Sequence, residues 1–217
     1  MANMRTEAVA ESRWAGGAHP YAIGSKKFGM WLFVISDALT FSVLLTAYSY
    51  LRLASPAWPR PFSFSPAIIY ATVMTAFLLS SSLTMVLAVA AAHRGDHRRT
   101  VYWLLGTMAG GIGFIVLHLR EWLHLIHQGV RPFSNPEALV AYAKDAPLFG
   151  GTFFGLTGLH MLHVTVGVIY LGIIAIGFGT KKFSSEDVEV NGLYWHFVDL
   201  VWMFIFPLVY LLSVSVD

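Results

Sequence analysis

Cysteine is absent from this chain of 217 residues, which excludes a disulfide framework, a thiolate metal site and covalent haem attachment. Charge is scarce too, at 12% of residues, and the basic side chains are scattered among short loops. A net charge of +2 without a continuous basic face gives no footprint for nucleic acid. The first 25 residues lack an apolar core, so they do not resemble a signal peptide and instead suggest a polar cytoplasmic extension, residues 1–26. No internal repeat is present. What the chain has in abundance is apolar residues: 56% hydrophobic, with Phe 16 and Trp 7, and a mean hydropathy of +0.63.

Apolar stretches of about 20 residues recur along the chain, which a soluble domain would not contain. The spans expected are Phe28–Leu53, Pro66–Ala92, Thr100–Ile126, Leu148–Phe178 and Gly192–Val216. The fold class is therefore all-α, an integral membrane bundle of five transmembrane helices forming one domain over residues 27–217. Between spans, Ser55–Pro61 is a proline-stiffened turn and His93–Arg99 a tight polar hairpin loop. The longest connector, Gly129 to Pro147, carries a short-helix signal at Asn135-Pro136-Glu137 followed by Ala138–Ala143. Of the 14 basic residues, Arg5, Arg13, Lys26, Lys27, Arg94, Arg98, Arg99, Lys181 and Lys182 fall on one side. Only Arg52, Arg60, Arg131 and Lys144 fall on the other, with Arg120 inside the third span. That imbalance places the N-terminus in the cytoplasm and Asp217 outside.

Ionisable groups at bilayer depth are costly and need partners. Asp37 falls about midway through span one, where two readings stand side by side: a packing aspartate near Ser36 or Thr40, or a group that moves protons. In span three, His118, Arg120, Glu121, His124 and His127 crowd one end. Glu121 and His124 have the Glu-x-x-His spacing of di-iron bundles, but no second copy exists to complete such a site, and an Arg120/Glu121 interfacial cluster is expected instead. His160 and His163 sit one turn apart in span four, as hydrogen-bonded packing histidines. His196, Asp199 and Trp202 share one face of span five. Gly106 with Gly110, and Gly151 with Gly155, have the spacing that lets helix backbones approach closely. Ser80-Ser81-Ser82 offers small side chains whose hydroxyls can bond within or between helices.

Four stretches together resemble a known family. They are Lys27-Phe28-Gly29-Met30-Trp31-Leu32-Phe33-Val34-Ile35-Ser36-Asp37, Arg120-Glu121-Trp122, Gly150 to Val164 with its His160-x-x-His163, and Tyr194-Trp195-His196-Phe197-Val198-Asp199-Leu200-Val201-Trp202. In this order they resemble subunit III of the haem-copper terminal oxidases, in a five-span form, from about Lys26 onward. Two positions depart from the common pattern: Asp37 where many cytochrome c oxidase members have glutamate, and Trp122 where tyrosine is usual. An aspartate resembles the quinol oxidase branch.

The resemblance implies an accessory subunit of a proton-pumping respiratory oxidase in the bacterial inner membrane, without a redox centre, catalytic residue or cofactor of its own. Haem and copper would sit in partner subunits, chiefly subunit I, with subunit II and other respiratory subunits nearby. Bound phospholipid is expected in a cleft between helices. Carried over, Asp37, Glu121, His160, His163, His196 and Asp199 become candidates for lining that cleft or supporting proton uptake by subunit I. Trp202 and the four glycines become packing residues. Other classes compatible with the residues alone are a stand-alone membrane di-iron or haem enzyme and a structural membrane scaffold.

Overall fold

The computed structural model describes residues 24–55, 58–62, 64–127, 130 and 148–214. Five helices in it are long and apolar enough to cross a membrane. They are α1 (Ser25–Ala54), α2 (Ile69–His93), α3 (His97–His127), α4 (Phe149–Gly179) and α5 (Ser185–Ile205). A π turn, Phe64–Ile68, leads into α2 and contains an extended Ser65. Another, Phe206–Tyr210, continues α5 into a short 3-10 turn, Leu211–Ser213. Among the described residues there is no β-strand, only an isolated bridge between Phe62 and Val214.

The expected spans match α1 to α4 within a few residues. The fifth differs, because α5 starts at Ser185, seven residues before Gly192. Its first two turns are polar on one side and bury Val188, Val190 and Asn191 on the other. They are fixed by a capping box in which Asp187 Oδ2 accepts the Ser184 backbone N–H at 2.8 Å. The His93–Arg99 loop is also tighter than expected, since only Arg94, Gly95 and Asp96 separate α2 from α3. Gly95 has φ +73°, a left-handed conformation that suits glycine. Asp96 then receives the Arg99 backbone N–H at 3.0 Å, starting α3. The connector 129–147, with its expected short helix, lies outside the described residues apart from Val130, as do residues 1–23 of the N-terminal extension and Asp217.

Helices α2 to α5 form the body of the bundle. α3 packs on α2 and α4, and α5 packs on α2 and α4, while α1 lies on the outside against α5 and α4. The α2–α3 seam is close because Gly110 faces Ser81, where an added Cβ would meet the Ser81 Cβ at 2.7 Å. Gly106 faces Thr84 in the same seam. The expected partners Gly151 and Gly155 behave otherwise. Both are exposed, and a Cβ at Gly155 would meet nothing within 4 Å, so within this bundle they bring no backbone close. Gly111 and Gly167 instead make room for a side chain of α5, both lying against the Trp195 ring.

Two buried tryptophans tie α5 to α2 by their indole N–H groups. Trp195 donates to Ser81 Oγ at 3.0 Å and Trp202 to Thr75 Oγ1 at 2.9 Å. In hydrocarbon the lipid tails are as apolar as the core, so packing and such bonds hold helices together. Outward faces carry large apolar side chains: Leu162, Val166, Ile169, Ile173 and Ile176 on α4, and Ile112, Val116, Leu119 and Leu123 on α3.

Candidate functional site

Asp37 looks into the seam between α1 and α4. Its Oδ2 stands 3.3 Å from His163 Nε2, with both side chains mostly buried. His163 Nδ1 lies 2.8 Å from the Leu159 carbonyl oxygen. A carbonyl can only accept, so the network assigns the Nδ1 proton to His163. Nε2 faces Asp37 Oδ2 at an ion-pair distance, and that oxygen has no hydrogen-bond partner among the described residues. The Tyr194 hydroxyl donates to the His163 backbone carbonyl at 2.9 Å and fixes that turn of α4 beside the pair. Phe41 covers it, 5.3 Å from the His163 ring. Ser36 and Thr40, the expected neighbours of Asp37, bond instead to carbonyls of their own helix.

His160, one turn back along α4, turns the other way, into the bundle. It stacks on Trp202 at 5.4 Å and meets Phe114 edge-on at 5.6 Å. His118 from α3 packs on the same Phe114 and Trp202 rings, at 5.3 and 5.6 Å. Both imidazoles are 0% exposed, and none of their four ring nitrogens has a hydrogen-bond partner among the described residues. His163 thus bonds to its own helix, whereas His160, expected as a hydrogen-bonded packing histidine, is held by aromatic faces. The sequence singled out His118 only as one of a crowd. Its signal was its spacing four residues before Trp122, whose ring lies 5.5 Å away.

Glu121 and Arg120 do not form the expected cluster. Glu121 points inward and accepts the Tyr210 hydroxyl at 2.8 Å, leaving Oε1 buried without a partner among the described residues. Arg120 points outward over the Tyr70 ring, 5.4 Å from its centroid. Adjacent residues on a helix face directions about 100° apart, which separates the two charges. Tyr210 was missed because the wide turn that aims it leaves no mark in hydropathy.

The third group lies across α5. His196 Nδ1 bonds Ser82 Oγ at 2.8 Å, joining α5 to α2. Asp199 is 7% exposed, has His196 and Ser82 as polar neighbours, and keeps Oδ1 without a hydrogen-bond partner among the described residues. Trp202 belongs to the His118/His160 group rather than to this one. The six candidates therefore fall into an inner belt, from Asp37 and His163 through His160 and His118 to Glu121 and Tyr210, and an outer group beside Ser82.

Among the described residues, no three or more of His, Cys, Asp and Glu converge as a metal site. A shallow open groove on α1 is lined by Leu39, Ser42, Val43, Thr46, Ala47 and Tyr50, and includes neither Asp37 nor Glu121.

A family model described as cytochrome c oxidase subunit III matches residues 1–214, reaching further toward the N-terminus than the stretches that carry the resemblance. A protein of Pseudomonas aeruginosa named cytochrome bo(3) ubiquinol oxidase subunit 3 is 30% identical over 94% of this chain and 95% of its own. Quinol oxidase subunit 3 of Bacillus subtilis is 31% identical, covering 86% of this chain and 87% of its own. Cytochrome c oxidase subunit 3 of a Synechocystis species is 33% identical, covering 86% and 76%.

Proposed function

The chain belongs to the cytochrome c oxidase subunit III family, and from that premise we propose that it serves as the accessory membrane subunit of a proton-pumping haem-copper oxidase, supporting proton uptake and the stability of the subunit that reduces dioxygen. Its five spans fit a multi-pass protein of the bacterial inner membrane. The haem and copper centres belong to partner subunits, chiefly subunit I with subunit II beside it. The N-terminus lies in the cytoplasm, on the side where the basic residues gather.

The observation that carries the reading is the Asp37–His163 pair. A carboxyl and an imidazole 3.3 Å apart, away from the bundle's ends, form a pair of titratable groups that can take up and return a proton. His160 and His118 lie further inward, held by the Phe114 and Trp202 rings, and Glu121 with Tyr210 forms a separate buried pair. Phospholipid is the ligand proposed for the groove on α1. Its serine and threonine hydroxyls bond to their own helix, leaving an apolar surface suited to acyl chains.

The test is Asp37→Ala and Asp37→Asn in the assembled oxidase, read as protons pumped per electron and as turnovers completed before inactivation. Both quantities fall in each variant if Asp37 takes part in proton handling. Unchanged values in both would reduce it to a packing residue.

A further inference from the structure

The basic residues at the end of the bundle where α1 begins divide into two groups. Lys26 and Lys27 on α1 are paired with Asp187 and Glu189 of α5. Arg94, Arg98 and Arg99 around the α2–α3 turn, and Lys181 and Lys182 in the α4–α5 turn, are all exposed. Arg99 pairs at 3.3 Å with Asp96, the one acidic residue in those turns. Among the described residues Arg94, Arg98, Lys181 and Lys182 have no ion pair, so this edge keeps cations without counter-charge.

The fold sets the two turns side by side. The His97 and Phe178 rings lie 4.7 Å apart, and a Cβ added at Gly179 would stand 3.6 Å from Val101 Cγ2. Lys181 holds φ +59°, a conformation that glycine adopts freely and lysine only at a cost, and the Lys182 N–H closes the end of α4 on the Gly177 carbonyl at 2.8 Å. The backbone of both lysines is thereby fixed beside the arginines. Tyr102 and Trp103 give the depth. Tyr102 is 68% exposed, its ring 5.3 Å from that of Trp103, and amphipathic rings of this kind settle at the boundary between hydrocarbon and headgroups. Arg98 lies four residues nearer the helix end, about 6 Å along the axis, which falls within a headgroup layer about 5–8 Å deep. Leu105 and Ile176, about one turn deeper, are exposed at 47% and 71%. Cations, an aromatic boundary and an apolar flank thus follow one another in the order of phosphate, glycerol and acyl chain in a phospholipid.

We infer that the edge formed by Arg94, Arg98, Arg99, Lys181 and Lys182 binds the phosphate of an anionic phospholipid, whose acyl chains lie along α3 and α4. A soluble phosphate ester offers the same charge but lacks the chains that the apolar flank would hold. Lys26 and Lys27, whose charges are already matched, attract such a headgroup less. The site shares no residue with the groove on α1 and does not depend on the oxidase reading.

The experiment uses the full chain with the subunits that co-purify with it, delipidated, and a phosphatidylglycerol carrying a diazirine beside its headgroup. Lipid is titrated in, the sample is illuminated, and label on peptides containing Tyr102 is quantified by mass. The half-saturating concentration should rise about thirtyfold in the double variant Arg98→Gln with Lys182→Gln, at about fivefold for each cation near the headgroups, and shift by less than about twofold in Lys26→Gln with Lys27→Gln. The charge-retaining pair Arg98→Lys with Lys182→Arg should stay near wild type, and high salt should weaken labelling of the wild type. Phosphatidylcholine with the same diazirine should label Tyr102 far less. Equal labelling by phosphatidylcholine, or equal shifts in the two glutamine double variants, would overturn the inference by leaving only lipid contact or a diffuse surface potential. Glycerol phosphate competing as well as the lipid would assign the edge to a soluble anion and overturn it too. Loss of a partner subunit from Arg98→Gln with Lys182→Gln, with lipid labelling unchanged, would assign the edge to an acidic protein face instead.

Discussion

Helices α1 and α5 have similar hydropathy, yet half of the most apolar window of α5 is buried inside the bundle against 6% for α1. α5 is held by large surfaces, with Trp195 and Trp202 almost fully enclosed. α1 is held by polar attachments at three heights. At its start Lys26 pairs with Asp187 at 2.6 Å and Lys27 with Glu189 at 2.5 Å. Midway comes Asp37 with His163. At its end Arg52 donates to the Leu212 carbonyl and to Ser213, and the Tyr48 and Ser213 hydroxyls meet at 3.3 Å. Where little surface is buried, directional contacts must set position. α1 is therefore located by its pairings and α5 by its shape.

Breaking that contrast calls first for Trp202→Ala. Loss of a ring enclosed by Phe114, His118 and His160 should cost about 3–5 kcal/mol and lower the midpoint of thermal unfolding of the solubilised complex, followed by circular dichroism. An unchanged midpoint would mean that α5 is not held by packing. Next, Tyr210→Phe leaves both Glu121 oxygens without a donor and should cost about 1–3 kcal/mol in the same assay. Asp37→Leu should act on α1 alone, by about 0.6–1.7 kcal/mol. Maleimide labelling of a cysteine placed at Ala38 should speed up while the overall unfolding midpoint barely moves; a large drop in the midpoint would erase the distinction between the two helices. The smallest effect is expected from Lys26 and Asp187. A double-mutant cycle on this exposed pair should give under about 1 kcal/mol and vanish in high salt.

The five spans were legible because hydropathy over about 20 residues is set by the bilayer itself. The start of α5 was not. Ser184 to Asn191 is too polar to register as a span, yet it is helical because a capping box and the buried Val188 support it. Gly110 lies tight against Ser81 of α2, while Gly151 and Gly155 face outward from the bundle. A four-residue spacing says that two small residues share a face, but not what that face meets. Asp37, His163 and Glu121 stood out as ionisable groups at depth, but their partners did not, since Asp37–His163 joins α1 to α4 and Glu121–Tyr210 joins α3 to the turn after α5. Pairings between elements distant in sequence depend on how the helices assemble, which spacing within one helix does not encode.

The π turn at Phe206–Tyr210 sets the phase of everything beyond it. In a regular helix each residue advances about 100°, and a wide turn inserts about one residue without a matching advance. Tyr210, eight positions past Trp202, is thereby kept on that tryptophan's side, with the rings 5.6 Å apart. A one-residue deletion that made this segment regular helix would set the phenol seven positions on, about 700°, and so still on that side, whereas a one-residue insertion would carry it about 100° further and away from its carboxylate. The segment should therefore tolerate the loss of one residue better than the gain of one.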